Sequence, residues 1–359
     1  MFSNYGAVLQ CYALQRFLRN HTTDNVEVID FTTEEHIRSL KLFGRKSSNL
    51  LKNIILNILV LRHYSALKRR QERTAEFKRD NINFTSRYID AKKLLENPPK
   101  EDVYVTGSDQ VFNLNSSFVD VYYLNFNKGN ARKVAYAPSF GVAEFDNDYR
   151  KRVPKYIKDF DALSCREQTG AAFLSDLTGK MVPVVVDPTM LLSAEDWTKV
   201  AKKPKIEDYI LIYDLNGKDN LVVIAKKIQN LTKSKIVCIT SNERNRYDVD
   251  KTVFDAGPSE FVGWFANANY VVTDSFHGTS FSIIFNKPFS TYVAATKTSD
   301  RVRTLLGKFN LNWRLIENGK SGAFVANEVF LQEPNVSTKD YIHSSCQFIH
   351  DNILNNEEL

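Results

Sequence analysis

Cysteine is scarce. Cys11, Cys165, Cys238 and Cys346 are scattered over 359 residues, and no two stand at the spacing of a zinc site or a disulfide framework. That excludes a cystine-stapled or zinc-ribbon scaffold and points to a reduced, cytoplasmic setting. Long apolar runs are missing too: the longest, 54–61, is interrupted by Asn57 and is far too short to span a bilayer. No signal segment stands ahead of the first predicted helix. There is no low-complexity tract, and the only repetition is an alternation of strand and helix patterns. Outside one segment, charge of one sign does not accumulate. The whole chain carries a net +6, whereas residues 41–79 hold eleven Lys and Arg against only Glu72 and Glu76. A nucleic-acid reader would need stacking aromatics or a reader fold beside those charges, and neither accompanies them, so nucleic acid is not an expected partner.

What is present is the composition of an ordinary soluble globular protein, 43% hydrophobic and 25% charged. The length calls for two domains. The reading divides the chain into an N-terminal domain over 1–190, a C-terminal domain over 207–335, and a last helix over 336–359 that folds back on the first domain. Residues 191–208, with Trp197 and Pro204, read as a linker. Asn4-Tyr5-Gly6 opens directly into a helix, with Val8, Leu9, Tyr12, Ala13, Phe17 and Leu18 on one face. Residues 26–31 alternate like a strand. Three further strands end in polar or glycine-bearing turns: 103–106 before Gly107-Ser108-Asp109-Gln110, 134–137 before Pro138-Ser139-Phe140-Gly141, and 162–165 before Arg166-Glu167. Residues 184–186 then lead to Asp187-Pro188-Thr189. This is the pattern of a parallel sheet carrying its site on one rim. A second alternation follows: strand 209–213, helix 221–231, strand 235–240, helix 258–268, strand 270–273.

That last strand breaks at Asp274-Ser275-Phe276-His277-Gly278 and resumes as a short helix predicted over 279–285. A helix start offers unpaired N–H groups and a positive dipole end, which suits an anion. Gly278 allows a ligand to approach the backbone, and His277 is the side chain there that can carry a proton near neutral pH. Asp274 either orients His277 or caps the helix.

Taken together, six pieces resemble one family, the polysaccharide pyruvyl transferases: residues 4–10 (NYGAVLQ), 107–112 (GSDQVF), 135–141 (AYAPSFG), 164–167 (SCRE), 187–189 (DPT) and 274–278 (DSFHG). They stand in the family's order over nearly the whole chain. The resemblance implies two Rossmann-like domains facing across a cleft, similar to the GT-B glycosyltransferases. It also implies transfer of a pyruvyl group from phosphoenolpyruvate, as donor substrate and without a cofactor, to two hydroxyls of a sugar, giving a cyclic ketal. The acceptor this implies is a galactose-containing, lipid-linked saccharide of bacterial capsular or exopolysaccharide biosynthesis. Two departures stand out. Members of the better-studied branch have an arginine where this chain has Ser275. The family's asparagine-glycine turn also follows a first strand absent here, so that either the start lies upstream of Met1 or the first domain lacks a central strand.

The chemistry requires a proton donor for the methylene carbon, cationic groups for a carboxylate and a phosphate, and a base for the sugar hydroxyl. His277 is assigned the acid, and Asp109 either the base or a turn-forming aspartate. Arg166 offers a bidentate fork to the donor, or else a salt bridge to Glu167. Asn4, Gly6, Ser108, Ser139, Ser275 and Gly278 line the substrate side, and Arg301 or Arg303 replaces the missing arginine. No ligand cluster points to a metal. The runner-up activities are a nucleotide-sugar glycosyltransferase, for which no glycine-rich loop or ribose-binding acid is found, and a non-catalytic sugar- or phosphate-binding relative. Finally, the amphipathic stretch 49–61, followed by Arg62, Lys68, Arg69, Arg70 and Arg73, reads either as a peripheral contact with the anionic inner face of the cell membrane or as a helix whose apolar face packs on the first domain with its charges solvated.

Overall fold

The computed structural model describes residues 5–39, 50–127, 129–142, 144–217, 219–240, 247–294, 300–317, 332–334 and 339–354. Two parallel sheets organise it. In chain order the helices are α1 (Tyr5–His21), α2 (Glu34–Ser39), α3 (Leu50–Asn81), α4 (Ala91–Glu96), α5 (Val119–Tyr122), α6 (Asn147–Ile157), α7 (Gln168–Thr178), α8 (Ala194–Val200), α9 (Asp219–Thr232), α10 (Pro258–Asn267), α11 (Phe276–Ile284), α12 (Asp300–Lys308) and α13 (Lys339–Asn352).

The first sheet is short. Strands β1 (Val103–Thr106), β2 (Arg132–Ala135) and β3 (Ala162–Leu163) pair in parallel, and a bridge from Cys165 to Val184 extends the rim. The second sheet holds six parallel strands: β4 (Tyr209–Asp214), β5 (Lys235–Thr240), β6 (Lys251–Val253), β7 (Tyr270–Thr273), β8 (Phe289–Val293) and β9 (Leu315–Glu317), in the order β6-β5-β4-β7-β8-β9. Counted from β4 this is the 3-2-1-4-5-6 order of a Rossmann sheet, whose crevice lies beyond the carboxyl ends of β4 and β7. Every residue of β4, β7 and β8 is buried, which explains why β4 and β7 read as continuous rather than alternating apolar runs.

Several sequence expectations are corrected here. The stretch 191–208 is not a free linker: Ser193 and Asp196 form a capping box at the start of α8, and Trp197 is fully buried with its indole N–H donating to Thr189 O at 2.9 Å. The ring reaches Tyr12 of α1 and Phe281 of α11, at centroid distances of 5.5 and 5.0 Å, so it joins the two halves in one core. The stretch 26–31 makes only isolated bridges, Val28 to Phe84 and Phe31 to Tyr88. The amphipathic stretch after residue 49 is the start of a helix of 32 residues that runs on through the basic cluster. Its inner stripe is Val60, Leu67, Arg70, Thr74 and Phe77, at helical spacing.

α13 lies against the first sheet, where Ser345 Oγ accepts from the Val186 backbone N–H at 3.0 Å and Phe348 faces Tyr136. The residues ahead of α1 lie outside the described ones. α1 inserts its first turn toward the second sheet: Tyr5 stacks on Phe261 of α10 at 4.7 Å and donates its hydroxyl to Ala256 O at 2.9 Å.

Candidate active site

The turns after β1, β2 and β3 and the start of α11 meet across the crevice, and Asp187 is where they meet. Its carboxylate is fully buried. One oxygen, Oδ1, accepts from the backbone N–H and hydroxyl of Thr189 at 3.0 and 2.8 Å, which fixes the carboxylate's orientation. The other, Oδ2, accepts from Arg166 Nη1 at 2.7 Å and from Ser108 Oγ at 3.0 Å, and lies 3.6 Å from His277 Nε2. That last distance lies outside hydrogen-bond range, so the buried Nε2 has no hydrogen-bond partner in the protein. Arg166 reaches on through Nη2 to Asp109 Oδ1 at 3.3 Å, while its guanidinium lies over the Phe276 ring at 4.5 Å.

The backbone is shaped for this convergence. A Cβ on Gly107 would lie 2.0 Å from Tyr136 O, at a φ of 117°, so only glycine lets β1 and β2 end so close together. Asp109 and Ala137 hold left-handed backbone at φ 64° and 49°, conformations that cost non-glycine residues of order 1–3 kcal/mol and cluster at functional sites. On the opposite side Gly6 abuts His277, where a Cβ would lie 2.0 Å from the ring's Nδ1.

The sequence-assigned residues fall into distinct groups. Arg166, His277, Asp109 and Ser108 come together as described. Arg301, in the first turn of α12, joins them: Nη1 is 3.9 Å from Asp109 Oδ1, and the Gln110 amide, oriented with its oxygen toward the guanidinium, accepts from Nη2 and Nη1 at 3.0 and 3.1 Å. Arg303 does not join; it faces outward and pairs with Glu317 at 2.8 Å. Ser139 is fully buried and donates to Glu167 Oε1 at 3.0 Å. It therefore supports the rim rather than lining open space. Glu167 turns away from Arg166's fork, because its Oε1 accepts from Ser139 and the Phe140 N–H.

α11 begins at Phe276, three residues earlier than the sequence pattern gives, because Ser275 is its N-cap and accepts from Gly278 N–H at 3.3 Å. His277 therefore sits in the first helical turn. Gly278 is explained by packing: a Cβ there would lie 2.4 Å from Thr273 Oγ1. Asp274 neither caps α11 nor touches His277. It accepts from the Leu215 and Asn216 backbone N–H groups and from the Asn216 amide, and so holds the turn after β4. Asn4 lies outside the described residues.

Asp187 itself, the hub, was read in the sequence only as part of Asp-Pro-Thr; the signal was a carboxylate placed directly after the apolar run 184–186. Gln10 was also missed: its Oε1 accepts from the Ser108 N–H at 2.9 Å, tying α1 to the first rim.

The electrostatics follow from burial set against charge. Burial pushes the Asp187 carboxyl up, but His277 and Arg166, with the Thr189 N–H, pull harder and hold it far below the ordinary carboxylate range. Asp109 behaves alike: burial raises it, and Arg166, His277 and Arg301 bring it below its ordinary value. Burial lowers Arg166, yet Asp187, Asp109 and Glu167 leave it raised. Arg301 is lowered, first by burial and then by Arg166. Glu167 is raised by its burial despite Arg166 nearby. The site is thus a web of two arginines and two ionised aspartates around an imidazole. Arg166 Nε, Arg301 Nε and His277 Nε2 are buried with no hydrogen-bond partner. Such N–H groups are costly to leave unmet and suit an anionic ligand.

Among solved structures, the chain is similar in fold to the UDP-GlcNAc 2-epimerase of Methanocaldococcus jannaschii in complex with UDP-GlcNAc and UDP (15% identity, 92% of each chain covered, TM-score 0.55). It is likewise similar to the UDP-GlcNAc 2-epimerase of Neisseria meningitidis bound to UDP-GlcNAc (11% identity, 98% of each chain, TM-score 0.50). These are GT-B-like folds, in keeping with two Rossmann-like units facing across a cleft. No curated protein matches the chain. The family model described as polysaccharide pyruvyl transferase matches residues 4–292, which take in all of α1 and end within β8, and on that match the chain belongs to the polysaccharide pyruvyl transferase family.

Proposed function

We propose that this protein moves a pyruvyl group from phosphoenolpyruvate to two hydroxyls of a saccharide, with His277 as acid, Asp109 as base and Arg166 and Arg301 as the donor's cationic partners. The observation that carries this reading is the meeting of Arg166 and His277 on one carboxylate oxygen of Asp187, at 2.7 and 3.6 Å. It brings a fork for an anion and a proton carrier from opposite rims to one point, with buried N–H groups left to fill.

The steps balance as follows. His277 gives a proton from Nε2 to the methylene carbon of the enol phosphate, making a methyl group and an oxocarbenium-like centre at the adjacent carbon. A sugar hydroxyl attacks that carbon and its proton passes to the Asp109 carboxylate. The bond from carbon to the phosphate oxygen breaks, and the second hydroxyl closes the ring. One hydroxyl proton replaces the proton spent on the methyl group, and the other leaves with phosphate. Asp187 is a positioning residue: its oxygen faces the nitrogen that carries the proton and holds the fork of Arg166. Asp109 is ionised, its carboxyl held below the ordinary value by Arg166, so it is a weak base that takes the proton only as the attacking hydroxyl becomes acidic on bonding to the cationic carbon.

A lipid-linked acceptor fits the surface of α3. Ile58, Leu61 and Tyr64 are 59, 63 and 40% exposed, and Arg62 and Lys68 stand exposed beside them. An apolar face with adjoining cations is what contact with an anionic bilayer requires.

The test is incubation of the full chain with phosphoenolpyruvate and a galactose-containing, lipid-linked saccharide, followed by mass analysis and a phosphate assay. The expected product carries one ketal-linked pyruvyl group per phosphate released. Gain of a hexose from a nucleotide sugar, with no ketal, would replace this reading by a glycosyltransferase. Neither product would leave a binding protein.

A further inference from the structure

The stripe by which α3 packs on the molecule reads Val60, Leu67, Arg70, Thr74, Phe77, and one member of it does not belong there. Arg70 is 5% exposed, and both its Nε and its Nη1 are buried with no hydrogen-bond partner. The carboxylates nearby are taken by its neighbours on the helix. Arg69 binds Asp255 at 3.1 Å, and Arg73 binds Asp255 at 3.3 Å and Glu260 at 3.4 Å. Among the described residues none comes within 4.0 Å of Arg70. Removing a guanidinium from water without a counter-charge is expensive, and helices seldom spend an inner-stripe position on it without use.

The phenols of Tyr5 and Tyr213 lie near Arg70. Burial pushes the Tyr5 phenol up to about 12, with Arg70 opposing the rise. Burial also raises the Tyr213 phenol, Tyr5 and Asp274 adding to the rise while Arg70 and Ser275 oppose it. The Tyr5 and Tyr213 rings are 6.1 Å apart at the carboxyl end of β4, beside the start of α11. Tyr5 precedes Gly6, which abuts His277, and Ser275 is the N-cap of the same helix. Arg70 therefore stands one side-chain layer behind the site, on the rim of the second sheet. The cluster around Asp187 cannot by itself neutralise a multiply charged donor, since Arg166 and Arg301 are already set against Asp109 and Asp187. The uncompensated cation on the facing rim is the complement.

We propose that Arg70, with the Tyr213 hydroxyl beside it, forms a subsite for a phosphate oxyanion, and that within the pyruvyl-transfer reading, on which this assignment rests, it holds the donor's phosphate. A planar fork with free N–H groups suits a phosphate, and the donor's carboxylate is left to the unmet Nε groups of Arg166 and Arg301.

Titration calorimetry of the full chain with inorganic phosphate, phosphoenolpyruvate and pyruvate tests it. Arg70→Gln should weaken phosphate and phosphoenolpyruvate by about ten- to hundredfold, the worth of one or two charge-assisted hydrogen bonds, and leave pyruvate unchanged. Arg69→Gln, one position along the same helix, should change none of the three. Arg70→Lys keeps the charge but not the fork, and should weaken phosphate by about three- to tenfold. It decides the matter if Arg70→Gln does not fold. Undiminished phosphate affinity in whichever folded variant is measured, no phosphate binding by the wild type, or equal weakening of pyruvate would each overturn the subsite. The two proposals fail separately. Phosphate binding lost in Arg70→Gln, with no ketal from the wild type, keeps the subsite and removes pyruvyl transfer. Ketal formation with an unchanged KM for phosphoenolpyruvate in Arg70→Gln does the reverse.

Discussion

Two groups of charged residues divide this molecule, and they behave as opposites. The one on α3 is conspicuous in the sequence, because residues 41–79 carry eleven Lys and Arg against two Glu while the whole chain nets only +6. Apart from Arg70 its described members lie at or near the surface, and the pairs they make are largely solvated, such as Lys68 with Glu72 at 3.7 Å, where both side chains are more than half exposed. The group at the crevice is nearly balanced in sign and draws no notice in a count of charges. Yet Arg166 and Asp187 are 1 and 0% exposed, and their environments move every carboxylate there from its ordinary value. Removal from water makes a charge do chemistry, and number alone makes only a surface field. Each experiment below tries to break that contrast.

The largest effect belongs to Asp187→Asn. It leaves the guanidinium of Arg166 buried against a neutral amide, with Asp109 at 3.3 Å as its remaining ion pair. Breaking a buried pair from one side costs about 3–5 kcal/mol, and a denaturation curve should show a loss on that scale together with loss of turnover. The pH dependence gives the sign. Asp187 and Asp109 have lowered folded-state values, so their stabilisation is fully present above the unfolded carboxylate value of about 4 and is lost as pH falls below it. Glu167, raised by burial, works in the opposite direction, because its ionised form is disfavoured in the fold and protonation relieves that cost. The wild type should lose stability below about pH 4 more steeply than Asp187→Asn. Equal slopes would mean that Asp187 is not held ionised by its partners.

How much of this was legible beforehand depends on how local each signal is. β4, β5 and β7 are runs of β-branched and aromatic residues buried on both faces, and each was read directly. β6 and β9 have three residues each and carry too little pattern to separate from loops. Arg166, His277 and Asp109 were found because each stands in a turn just past a strand. Asp187 was not singled out, because its importance comes from Ser108, Arg166 and His277, which lie far from it along the chain. Arg70 read as one more surface cation in a basic run. Only the register of α3 on its neighbours turns it inward, and a helical stripe interrupted by missing apolar residues does not reveal that phase.

An intermediate effect is expected of Gly6→Ala, which tests whether the crevice works by fit as well as by charge. The added Cβ would stand 2.0 Å from His277 Nδ1 and 2.4 Å from its Cε1 and Cγ. Either the imidazole turns away from Asp187 or α1 withdraws from α11. A displacement of about 1 Å at a reacting group can cost on the order of a hundredfold in rate. Turnover should therefore fall by about that factor while the melting temperature moves far less than in Asp187→Asn. A variant with wild-type kcat/KM would show that the ring is not held by this contact.

The smallest effect in solution is expected of Arg62→Gln with Lys68→Gln on α3. Exposed charges of this kind contribute about 0–1 kcal/mol each, so stability and turnover on a water-soluble acceptor should stay within experimental error of the wild type. The same double substitution should matter at a bilayer, where each cation near an anionic surface is worth about 1 kcal/mol, so two together should weaken vesicle binding by about thirtyfold. Ile58 and Leu61, both well over half exposed, would supply the apolar insertion that makes the contact more than a charge effect. Sedimentation with anionic and neutral vesicles checks this. The expected pattern is binding of the wild type to anionic vesicles only, reversal by salt, weakening in the double variant, and weakening again in Leu61→Ser with the charges intact. If wild type and variants sediment alike on both kinds of vesicle, the cations of α3 serve no membrane contact, and the surface group would be solvated charge and nothing more.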